Sequence, residues 1–157
     1  MPNRELKKVL SEKGNLHNFT VGMLKHATAL FEGTEIEIYP PSERRGASIY
    51  LASIMPVLYD PNNDENCELF RRSCYAIMEA IPKEEDDEIK SELLSTLYNS
   101  MSAQIFQSET EIYIQVVDFY TQVQDDDKFG MLAQGYALDL LLKMVEGESA
   151  DTIETTC

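Results

Sequence analysis

Ile89, Leu93, Leu97, Met101 and Ile105 place an apolar side chain at every fourth position. That spacing collects the five side chains on one face of an α-helix and scatters them over both faces of a strand. An exposed face of this kind must be covered, so the run predicts a helix packed against other helices. Similar stripes recur along the chain: Leu16, Phe19, Met23, Ala27 and Leu30; Ala47, Tyr50, Leu51, Ile54 and Leu58; Cys67, Phe70, Cys74, Ile77, Met78 and Ile81; Ile112, Val116, Phe119, Tyr120 and Val123. In the last, Phe129, Leu132, Tyr136, Leu140 and Met144 are expected inward, with Leu138, Leu141, Leu142 and Val145 widening the apolar surface. A shorter helix, Pro2 to Glu12, is predicted with Leu6, Val9 and Leu10 inward.

These stripes predict a mainly α fold: a single-domain helical bundle of about six or seven helices over residues 1–146. The 157 residues suit one core, and 43% hydrophobic composition is enough to fill it. Gly147 is expected to end the last helix, leaving 147–157 as a disordered acidic tail. Ile36 and Ile38 alternate with Glu35 and Glu37, so 35–39 reads as a short strand or an extended segment. Its only conceivable pairing partner is 111–117, where Ile112, Ile114 and Val116 also alternate. The Ser108–Glu111 spacing fits a capping box, however, and favours a helix there.

Charge is distributed unevenly. The net charge is −15. Residues 1–83 hold 10 basic and 11 acidic side chains, whereas residues 84–157 hold 17 acidic ones and only Lys90, Lys128 and Lys143. Such a field repels phosphate backbones and anionic lipid, and attracts basic proteins. Nucleic acid and membrane are therefore not expected as direct partners. No apolar run approaches the ~20 residues of a membrane helix, and the charged start of the chain resembles no secretory signal. A cytoplasmic location is expected.

The stretch DPNNDENCELFR, Asp60 to Arg71, supplies oxygens at alternate positions, as a calcium loop does. Glu65 stands where the loop needs glycine, and Arg71 stands where it needs a bidentate glutamate. Helix capping accounts for the same residues: Asp60 before Pro61, or Asn62 with Glu65 reaching back. His17 and His26 are nine residues apart and point to opposite sides of one helix. Cys67 and Cys74 are two turns apart, too far to bridge, and are expected as reduced core thiols. No zinc, phosphate-loop or nucleophile-elbow motif occurs, so no cofactor, metal or catalytic residue is assigned.

Two acidic clusters in the second half are the expected partner-binding residues: Glu84, Glu85, Asp86, Asp87 and Glu88, and Asp125, Asp126 and Asp127. Both precede predicted helices, where one or two acids favourably face the helix dipole. Five adjacent like charges exceed that need. The expected function is thus a non-catalytic helical interaction module, of the adaptor, chaperone or regulatory-subunit type, binding a basic protein through its acidic C-terminal half. An immunity protein or DNA-mimic inhibitor is one alternative, predicting acids spread over one face. A small enzyme is another, predicting a pocket that joins His17 or His26 to carboxylates or a cysteine.

Overall fold

The helical stripes close into a bundle of α-helices, with no strand among the described residues. The structure, a computed structural model, describes residues 22, 24–32 and 39–156, with residues 147–156 described as backbone. In chain order the helices are α1 (24–29), α2 (Pro41–Leu58), α3 (Asp64–Ala80), α4 (Asp87–Asn99), α5 (Ala103–Ser108), α6 (Thr110–Val123) and α7 (Gly130–Thr156). A 3-10 turn, Ile81–Lys83, links α3 to α4. The predicted helix at 2–12 and the extended segment at 35–38 lie outside the described residues; Tyr39 is a bend.

The core is the intersection of the predicted stripes. Phe31, Leu51, Phe70, Cys74, Ile77, Leu93, Leu97, Val116, Tyr120 and Leu140 are wholly enclosed. Helix α2 packs along α4, and α6 along α7. Helix α3 touches α2, α4 and α6 and so joins the two pairs. Between α1 and α3, the Thr28 and Ser73 hydroxyls share a buried hydrogen bond of 2.9 Å. That bond satisfies two polar groups that burial would otherwise penalise by roughly 1–3 kcal/mol each.

Three boundaries differ from the sequence-based expectation. The run from Ile89 to Ile105 is fully buried but not one helix: α4 ends at Asn99 and α5 begins at Ala103. Serines cause the break. The Ser100 hydroxyl donates back to Thr96 O at 2.7 Å, and the Ser102 hydroxyl accepts from Ile105 N at 3.2 Å, starting a new helix. Residues 111–117 are helical, as the longer period predicts, yet the capping box does not form. Ser108 closes α5, and Glu109 stands before α6 without a side-chain cap. Finally, α7 continues past Gly147 to Thr156. A single glycine costs a helix about 1 kcal/mol against alanine, which weakens it without breaking it.

In the calcium-like stretch, the structure places a helix cap. Asn63, one residue beyond Asn62, is the N-cap, its side chain accepting from Asn66 N at 3.1 Å. Asp60 Oδ1 accepts from Asn62 N at 3.0 Å, forming the turn ahead of it. Among the described residues no group of three His, Cys, Asp or Glu side chains is placed to hold a metal ion.

Candidate functional site

The two acidic clusters lie far apart in sequence but meet in space. Lys90, in the first turn of α4, donates to Asp126 at 3.1 Å, and Lys128 reaches back to Asp87 at 2.9 Å. These bonds bring the turn before α4 against the loop before α7. One end of the molecule therefore gathers both carboxylate runs. Asp126 also accepts from Lys128 N and Phe129 N through one oxygen, at 2.8 and 2.9 Å. The Phe129 N–H, then the Lys90 ammonium and the Lys128 N–H, hold its carboxyl down to about 2.

Five of the eight expected partner-binding carboxylates have structural partners. Glu84 is the clearest correction. Its side chain is 0% exposed and paired with Arg44, so it offers nothing to a partner. Asp86 caps α4, accepting from Glu88 N and Ile89 N, and lies 3.6 Å from Arg45. Glu88 pairs with the same arginine at 2.9 Å. Asp87 and Asp126 are held by Lys128 and Lys90. Glu85, Asp125 and Asp127 remain exposed, with no ion pair to any described residue. The arginines that answer the first cluster sit forty residues earlier in the chain, at the start of α2, which is why linear spacing does not reveal them.

The third lysine of the acidic half is committed in the same way. Lys143 pairs with Asp139 at 3.2 Å and sits 4.9 Å from the centre of the Tyr98 ring. Tyr98 stacks on Tyr136 at 4.3 Å and donates its hydroxyl to Asp139. That hydroxyl, then Lys143, holds the Asp139 carboxyl below the usual carboxylate range. All three lysines of the acidic half are thus neutralised internally. Of its tyrosines, Tyr113 and Tyr120 are buried: Tyr113 donates to Leu140 O at 2.7 Å, and Tyr120 donates to Leu94 O. Neither presents a ring face to a ligand cation.

Helix α7 departs from expectation in a second way. Ala133, Ala137 and Leu140 face the core, with Phe129, Tyr136 and Met144 half-buried. The residues expected to widen that buried surface do not reach it. Leu138 is 60% exposed, Leu142 56% and Val145 59%, and Met131 is 88% exposed. Leu132, expected inward, and Leu141 are exposed as well. Proximity in sequence to a core-facing stripe was misleading, because this helix is apolar on two opposite sides.

Two other constellations lie outside the acidic clusters. Glu109 accepts from Arg71 Nε at 3.1 Å and from the Tyr59 hydroxyl at 3.3 Å. Burial, then contact with Cys67 and Glu109, pushes the Tyr59 hydroxyl up to about 12, so it stays protonated. A cleft of about 510 Å³ lies between α1 and α2, lined by Leu30, Ala47, Tyr39 and Tyr50 with His26 and Glu43. It joins His26 to the Glu43 carboxylate, the kind of pocket the enzyme alternative predicts, and neither described cysteine lines it. His17 lies outside the described residues.

No protein-family model, curated protein or solved structure matches this chain.

Proposed function

We propose that this chain is a non-catalytic helical interaction module that binds a basic protein partner at its acidic C-terminal half. One observation carries the reading: among the described residues, Glu85, Asp125 and Asp127 stay outward at the acidic end while Lys90, Lys128 and Lys143 are paired with other carboxylates. Outward carboxylates on an already negative half steer cationic partners and raise their association rate at low salt. The DNA-mimic alternative asks for acids spread over one exposed face. Capping and burial of Asp86, Asp126 and Glu84 favour the protein-binding reading over it. No helix among the described residues is long and apolar enough to cross a membrane.

The experiment is stopped-flow association with a fluorescent lysine-rich peptide at low and high salt. The triple variant E85K/D125K/D127K should associate roughly tenfold more slowly at low salt, and salt should slow the parent protein. Equal rates for parent and variant at every salt concentration would overturn the acidic end as the docking surface.

A further inference from the structure

Helix α7 carries an apolar stripe that stands exposed among the described residues. At 100° per residue, Met131, Leu138, Leu142 and Val145 fall within about 60° of one another, almost opposite the buried face. Leu141 extends the stripe on one side, and Gly135 lies at its other edge. From Met131 to Val145 the stripe runs about 21 Å along the helix. Monomeric proteins rarely expose contiguous apolar surface of more than a few hundred Å² without a binding role.

The surroundings of the stripe are acidic. Asp125 and Asp127 stand just before its Met131 end, and Glu146 closes the other end. Glu146 and, paired with Lys143, Asp139 line one edge, about 70–90° from the stripe centre. Lys143, the one cation on this part of α7, is already bound to Asp139 and lies over Tyr98.

We propose that this face binds an amphipathic helix of the partner, with apolar residues at 3–4 spacing and lysines or arginines along its margins. The proposal rests on the reading of the chain as a binder of basic proteins, and names the form the basic segment takes. The 3–4 spacing of the stripe is the geometry into which the side chains of a second helix interdigitate. Charge selects that occupant over the others. A second copy of this chain would bring another −15 and the same acidic edge against this one. An anionic lipid surface requires a basic polar face beside the apolar one, and α7 has none.

Fluorescence anisotropy tests the idea with four synthetic probes: a leucine/lysine amphipathic peptide, its scrambled isomer, a leucine/glutamate amphipathic peptide, and vesicles of mixed anionic and zwitterionic lipid. The leucine/lysine peptide should bind the parent protein at least tenfold more tightly than the scrambled one, with no binding to the other two probes. L138E/L142E should lose that tenfold preference while keeping the weaker, salt-sensitive binding of the scrambled peptide. L138S/L142S, which adds no charge, should lose it too, and circular dichroism should show both variants folded as the parent. If both lysine peptides bind equally and the α7 variants change nothing, the docking face is wrong while the basic-partner reading stands. Should no lysine peptide bind, both fall. Vesicle binding, or a dimer by sedimentation that L138E/L142E dissociates, would overturn the proposal in favour of lipid or a second copy.

Discussion

Arg44 and Glu84, forty residues apart in sequence, form a two-point ion pair inside the bundle: Nε donates to Oε2 at 3.0 Å and Nη2 to Oε1 at 2.9 Å. The pair fastens the start of α2 to the turn before α4. Glu84 Oε1 also accepts from Asp86 N at 3.2 Å, so one carboxylate orients the residue that caps α4. Arg44 in turn donates to the Tyr39 carbonyl.

Removing one member leaves the other charge buried and unanswered, at a typical cost of about 3–5 kcal/mol. Glu84→Ala is therefore expected to lower the urea midpoint sharply, and Arg44→Met to do nearly the same. The double variant R44M/E84L should recover much of the loss, since two apolar side chains need no partner. Additive losses across that cycle would show that the two residues stabilise the fold independently.

Asp126 makes acid stability predictable. Its folded-state value of about 2 lies below the unfolded value of about 3.9. The ionised carboxylate therefore adds stability that is present above about pH 4 and lost as pH falls toward 2. Asp126→Asn should melt below the parent at neutral pH, and the gap should narrow across that acid window. Parallel melting curves between pH 4 and 2 would contradict the assignment.

Gly130 and Gly135, five residues apart, should respond to alanine in opposite directions. A Cβ on Gly130 would meet the Gln124 carbonyl oxygen at 2.3 Å and its carbon at 3.0 Å, both backbone atoms that cannot swing away. Gly130→Ala should cost about 1–3 kcal/mol by displacing the loop that holds Asp125 to Asp127. At Gly135 nothing lies within 4 Å. Gly135→Ala should stabilise the exposed helix by up to about 1 kcal/mol. Chemical denaturation of both variants checks the pair, and a stabilised G130A would refute the close approach.

Cys67 and Cys74 are free and buried, and burial pushes the Cys74 thiol well above its ordinary value. Thiolate is the reactive form, which protects Cys74, and burial shields Cys67, so native protein should leave both residues unmodified by iodoacetamide, with modification appearing only in denaturant. Peptide-level mass spectrometry separates the two sites. Rapid labelling of Cys74 in the native state would mean that α3 opens far more readily than its packing implies.

Periodicity alone determined the mainly helical architecture and the inward faces of α3 and α6. Those features depend on spacing within a few turns, and 3.6 residues per turn is readable from one strand of text. Composition likewise fixed the charge imbalance. Tertiary structure alone decided which carboxylates face solvent. Arg44, Arg45, Lys90 and Lys128 cross the bundle to pair with Glu84, Asp86, Glu88, Asp126 and Asp87, and chain distance carries no record of those meetings. It also decided that Leu138, Leu142 and Val145 look outward. A helix that is apolar on two sides shows the same letters whichever side the bundle covers, and the choice belongs to the neighbouring helices, with Tyr120 and Tyr98 packing on the Tyr136 side of α7.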